Sequence, residues 1–180
     1  MNNMDWALEY VRRGWPVLPL YPIKDGKCVC PDRTFKIGPD PKKWKCSPGK
    51  HPYANLLHGV KDATLDPERI KLWWGPTMWP EANIGVSLWE AGLVDVAPDN
   101  VADEAQFIAR GLPETLTFSS GGGEGHRHYL YRRTEDFPRT RLCVPGHYDI
   151  MSDGYAVFPP STHVSGGRYA WVNVTCQTQS

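Results

Sequence analysis

The sequence predicts one mixed domain, α+β or α/β, and three observations carry that expectation. The chain has 180 residues, enough for one sizeable core with at most a small subdomain. Gly and Pro at 17 each, with 8 Trp and 8 Tyr, favour a loop-rich mixed fold over a helical bundle. Strand-like apolar runs are interspersed with segments of helical period. No internal repeat or low-complexity tract interrupts them.

Asn3 to Arg13 sets Trp6, Ala7, Tyr10 and Val11 at helical spacing, with Gly14 as a stop. Trp15 to Leu20 is a first strand whose prolines favour a sheet edge or strand ends. It is too short and too Pro-rich for a signal or membrane helix, and no later stretch is long enough to span, so a soluble cytoplasmic protein with no membrane partner is expected. Residues 22–52 break the pattern. They hold Lys24, Lys27, Arg33, Lys36, Lys42, Lys43, Lys45 and Lys50 against Asp25, Asp32 and Asp40, a local basic excess of five in a chain whose 20 basic and 20 acidic residues cancel. No global field advertises nucleic acid, so any such attraction is local, and the same lysines also suit a solvated loop.

Asp66 as N-cap and Pro67 at the first helical position open a helix through Trp74. Ala82 to Leu88 and Gly92 to Ala97 read as two strands joined by a short turn at Trp89 to Ala91, and Pro98 ends the second. Val101 to Arg110 is a helix and Thr115 to Ser119 a strand, and a Gly-rich turn leads into a strand at His126 to Arg132. Tyr148 to Met151 and Tyr155 to Phe158 read as a hairpin around Ser152-Asp153-Gly154. A last hairpin, Thr162 to Val164 with Arg168 to Val172, turns at Gly166-Gly167.

Cys28, Cys30, Cys46 and His51 share one charged loop and offer three thiolates and an imidazole, the set that suits tetrahedral zinc. Three of the five Cys lie between residues 28 and 46, which points to a metal knuckle rather than a secreted disulfide framework. His58 is a spare ligand or, beside Gly59, a turn residue. Leu93 to Asp99 is an apolar strand carrying an acid. Alternation sets Val94 and Val96 on one face and Asp95 and Ala97 on the other, so Asp95 is expected to point away from the core. A lone carboxylate there needs a cation or serves as a cap. Ser119, Ser120, Gly121, Gly122 and Gly123 begin a loop whose N–H groups can approach a phosphate, without the Lys-Ser/Thr ending of a P-loop. His126 and His128 leave that loop on one face. Asp149 also alternates away from an apolar face, as a second cation ligand or a partner for Arg139 or Arg141. Pro159 and Pro160 fix a corner that places Ser161 and His163 at a strand end.

In order, Gly14-Trp-Pro-Val-Leu-Pro-Leu20, Gly49-Lys-His-Pro52, His58-Gly with Asp62-Ala-Thr64, Trp73-Trp74, Ala82-Asn-Ile-Gly85, Leu93 to Pro98, Ser120 to Tyr131, Asp149 and Gly154 to Ser161 resemble the N-terminal domain of bifunctional DNA primase/polymerases, the Prim-Pol domains of the archaeo-eukaryotic primase superfamily. The resemblance spans nearly the whole chain. It implies an RRM-like catalytic sheet with an additional α/β layer, so that residues 1–180 form one catalytic domain with 22–52 as an inserted zinc-binding loop. It implies Asp95 and Asp149 as ligands of Mg²⁺ or Mn²⁺ and His128 with the Ser/Gly loop at the incoming triphosphate. It also implies Lys50, Ser161 and His163 along the nucleotide pocket, and structural Zn²⁺ on Cys28, Cys30, Cys46 and His51. Substrates would be dNTPs or NTPs, and partners a DNA template and primer, with a helicase or helical accessory domain outside this chain. Ala97 departs from the pattern, because it stands where the first motif has its second acid. The chain is then an impaired homologue or an inactivated form, or Asp99 substitutes from beyond Pro98. Two rivals remain: a non-catalytic zinc-containing nucleic-acid-binding module, and a metal hydrolase using His126, His128 and Asp149.

Overall fold

The computed structural model describes residues 1–31 and 46–172. Arg33, Lys36, Lys42, Lys43, Lys45, Asp32 and Asp40 of the basic loop therefore lie outside the described residues, as does everything after Val172. The chain runs α1 (Asn3–Arg12), β1 (Val17–Leu20), β2 (Ile23–Lys24), β3 (Lys27–Cys28), a 3-10 turn (Gly59–Asp62), α2 (Pro67–Trp73), β4 (Asn83–Ser87), α3 (Leu88–Ala91), β5 (Leu93–Pro98) and α4 (Val101–Ala109). It continues with β6 (Leu116–Ser119), β7 (Arg127–Arg132), β8 (Arg141–Val144), β9 (Tyr148–Met151), β10 (Tyr155–Phe158) and β11 (Ala170–Trp171). The architecture is α+β: an antiparallel six-stranded sheet in the order β11-β6-β7-β5-β9-β8, a three-stranded sheet β1-β4-β10, and the small β2-β3 hairpin.

Local chemistry explains the helix starts. Asn2 caps α1 in a capping box with Asp5, and the Asp66 side chain accepts the Glu68 N–H while Pro67 occupies the first turn of α2. β1 is an edge strand, as its prolines require. Gly85 sits where the central β4 meets β1, and a Cβ there would come within 2.9 Å of Leu18 Cδ2.

The main core gathers Ala7 and Tyr10 of α1, Ile70 and Trp73 of α2, Leu18, Ile84, Val86 and Phe158 of the small sheet, and Leu93, Phe118 and Leu130 of the large sheet. Val94, Val96 and Tyr129 form a second cluster with Phe107 and Leu112. Both faces of β5 are therefore covered, and every residue from Leu93 to Pro98 is buried.

Four expectations are corrected. Asp95 does not point away from the core: it shares its face with Leu93 and Leu130, both in the main core, and is fully buried. The link from β4 to β5 is not a plain turn, because the one-turn helix α3 hands the chain from one sheet to the other. β9 and β10 form no hairpin either. Ser152 is buried and bonded back to Pro138 and Thr140, so β9 stays in the large sheet while β10 pairs with β4. The last hairpin reduces to a Thr162–Arg168 bridge, and the distal segment joins β6 as β11.

Asn83 fastens the corner beside this small sheet. Its side chain donates to the carbonyls of Gly49 (3.0 Å) and Thr162 (2.9 Å) and accepts from the Thr162 N–H (2.8 Å). Asn83→Ala leaves these buried groups unpaired and is expected to lower stability by about 2–3 kcal/mol. Thermal melting followed by circular dichroism checks the loss.

Candidate functional site

Strand register sets the geometry of the site. In the large sheet Asp95 pairs with Leu130 on β7 and Met151 on β9, and Ala97 pairs with Asp149. Paired residues share a face, and alternate residues return to it, so Asp95, Ala97, Asp149 and His128 all face the same way. The His128 ring reaches Asp95: Nδ1 lies 2.8 Å from Oδ2, and the imidazole stacks on Phe118 with ring centroids 4.6 Å apart. The other carboxylate oxygen of Asp95, Oδ1, is buried and has no hydrogen-bond partner among the described residues. A fully buried carboxylate with one orphaned oxygen is expensive unless a cation completes it, and the histidine satisfies only one side. The residues present therefore fit a divalent cation.

Asp149 is half-buried and pairs with Cys143 of β8, a strand that apolar alternation does not signal. Burial pushes the Cys143 thiol up, and the charges of Asp149 and then Asp99 push it further. Arg139 and Arg141, weighed as partners for Asp149, pair with Asp153 instead at 3.3 and 3.5 Å.

The glycine loop closes over this face. Gly121 and Gly125 have φ of +78° and +79°, and a Cβ on either would strike backbone, that of Arg168 at 2.8 Å and of Val101 at 2.2 Å. Packing alone thus requires both glycines. Gly122 is different, because its Cα faces ligand-competent groups: a Cβ there would lie 3.2 Å from Ser120 Oγ and 3.5 Å from both the His126 and His163 rings. The Gly122 N–H donates to Ser120 Oγ at 3.3 Å. Burial lowers the pKa of His163, and the cationic Lys50 and then His126 lower it further, which brings Lys50 to the same group of side chains. Ser120, Gly122, His126 and His163 therefore converge, and the charge of Lys50 is felt at His163. Gly123 follows the loop outward, exposed, and Ser119 Oγ turns away to the Ala170 carbonyl at 3.4 Å.

Ser161 corrects another expectation. It is fully buried and its hydroxyl accepts the Ile84 N–H at 2.8 Å, so it ties β10 to β4 instead of lining a pocket. His126 and His128 do not act as a pair, since one reaches Asp95 and the other the glycine loop. Tyr169 is a site neighbour the sequence did not signal. It is buried, its ring stands 6.3 Å from His128 and 5.8 Å from His163, and burial followed by the Asp95 charge raises its pKa.

The ligand atoms of Cys28, Cys30, Cys46 and His51 lie within 4.8 Å of one another, and among the described residues this is the one group of three or more such side chains so close together. Cys28 and Cys46 Sγ stand 3.4 and 3.5 Å from His51 Nε2, and Cys30 and Cys46 Sγ are 3.5 Å apart. These are near the edge lengths of a tetrahedron with metal bonds of about 2.0–2.3 Å. The Asp25-Gly26 turn between β2 and β3, with φ of 51° and 72°, presents Cys28 to the cluster. Burial pushes the Cys30 thiol up to about 12, with Cys46 and Cys28 adding to the rise. His58 stays outside, paired with Asp62 at 3.1 Å.

A family model described as the N-terminal domain of bifunctional DNA primase/polymerases matches residues 7–179, nearly the whole chain. No curated protein matches it. Among the described residues no helix is long and apolar enough to cross a membrane.

Zinc content by elemental analysis is expected at about one per chain, falling towards zero in Cys46→Ser. A protein without zinc as isolated would contradict the assignment of the cluster.

Proposed function

Because the chain belongs to the bifunctional DNA primase/polymerase N-terminal family, we propose that it is a metal-dependent nucleotidyltransferase domain acting on a DNA template and primer with nucleoside triphosphates. The observation that carries this reading is the orphaned Oδ1 of Asp95, fully buried in a strand beside His128 and diagonal to Asp149. The order β6-β7-β5-β9, with α4 crossing from β5 to β6, supports an RRM-like catalytic sheet, and the three-stranded sheet with α1 and α2 supplies the additional layer.

The reaction joins a primer 3′-hydroxyl oxygen to the α-phosphorus of a dNTP or NTP, and the bond to pyrophosphate breaks. Mg²⁺ or Mn²⁺, held by Asp95 and Asp149, would neutralise charge that develops on the phosphoryl oxygens. His128 holds the Asp95 carboxylate in place through Nδ1, and its stacking on Phe118 fixes the ring. Ser120, the Gly122 N–H, His126, His163 and Lys50 form a donor-rich cradle that suits a triphosphate. Ser161 acts only by holding that corner together. Zn²⁺ on Cys28, Cys30, Cys46 and His51 would staple the loop that leads to Lys50.

Ala97 favours a second reading, a non-catalytic module that binds nucleic acid through the zinc loop. The two differ in primer extension. The account predicts Mn²⁺-dependent extension of a primed template, lost by roughly a hundredfold or more in Asp95→Asn and raised in Ala97→Asp. DNA binding with no extension by either the unaltered protein or Ala97→Asp would favour the module.

A further inference from the structure

The residue opposite Asp149 in the β5–β9 ladder is Ala97, whose methyl can ligate nothing. The ladder does not end there. Pro98 pairs with Tyr148, and the Asp99 N–H donates to the His147 carbonyl at 2.7 Å, so antiparallel pairing continues one residue past the end of β5. Alternation returns Asp99 to the face of Asp95, Ala97 and Asp149. Asp149 thus faces a gap with an acid two residues to either side of it. Each acid stands on the diagonal, about 7–8 Å between α-carbons, a separation two aspartates span through a cation bonded at about 2.0–2.6 Å to each.

Two further observations point to a cation here. Among the described residues no ion pair or side-chain hydrogen bond engages the Asp99 carboxylate, while the neighbouring Arg139 and Arg141 are committed to Asp153. On the other side, the fully buried Asp95 keeps an unpartnered oxygen on this face.

We infer that Asp99 supplies the carboxylate that position 97 lacks, so that Asp149 holds a divalent cation with Asp95 on one diagonal and with Asp99 on the other. The inference rests on the metal-dependent reading above and gives that reading its ligand set. Asp99 stands one strand repeat farther out than an acid at position 97 would, so the site is longer and its turnover lower than with an acid at 97.

Mn²⁺ binding by the full, zinc-loaded chain tests this without turnover, read from loss of the free-ion electron paramagnetic resonance signal. Asp99→Asn is expected to weaken binding by roughly tenfold or more, and Glu135→Gln, an exposed acid, to leave it unchanged. The double variant Ala97→Asp/Asp99→Asn regains the affinity, which repair of a merely structural role for Asp99 would not do. Thermal melting shows that each variant is folded. If Asp99→Asn binds as tightly as the unaltered protein while Asp95→Asn does not, the inference falls and the metal-dependent reading stands. No Mn²⁺ binding by the unaltered protein overturns both.

Discussion

A carboxylate buried in the middle of a sheet constrains everything around it. Asp95 has no solvent to share its charge with, one oxygen held by His128 and the other by none of the described residues. Such a group persists only where the surrounding fold is strong enough to hold it in place, and the fold here is arranged to do that. β5 lies inside the six-stranded sheet between β7 and β9, with the main core on one face and α4 on the other. The remaining site groups reach Asp95 through pairing: His128 by way of β7 and Asp149 by way of β9.

The second sheet performs a different task. β4 and β10 carry the corner of Asn83, Ser161 and Thr162, whose mutual hydrogen bonds fix the segment bearing His163 against the glycine loop. Tyr155 of β10 donates to the Lys50 carbonyl at 2.7 Å and so joins the cysteine-bearing loop to the same corner. The cradle is therefore built from three separate chain segments. Two of them depend on the small sheet and one on the cysteine cluster, so loss of zinc should disturb the donor set around Lys50 while leaving Asp95 in place.

Much of this was legible in the residues. Asp66-Pro67 announced α2 by its cap, Gly14 marked the end of α1, and the three thiolates with His51 identified their own cluster. The order of motifs gave the family. What was not legible follows from where the information lies. Arg141 to Val144 is a short, exposed edge strand with no apolar alternation, and only pairing with β9 makes it a strand. The Ser152-Asp153-Gly154 turn looks like a hairpin locally, yet the long-range bonds of Ser152 and the pairing of β10 with β4 decide otherwise. Alternation told which residues share a face with Asp95 but not that both faces are buried, so the acid was expected to face outward. Pro98 reads as a strand end, whereas proline removes one donor and leaves the next residue, Asp99, free to pair.

The central claim is that the orphaned oxygen of Asp95 is a ligand position for a divalent cation. Crystals grown with Mn²⁺ and a non-hydrolysable nucleoside triphosphate, measured for anomalous scattering at the manganese edge, test it directly. The account predicts a manganese peak at about 2.0–2.3 Å from Asp95 Oδ1, in reach of Asp149 and of the triphosphate. A structure in which the triphosphate is bound and that oxygen instead faces only protein or water would contradict it.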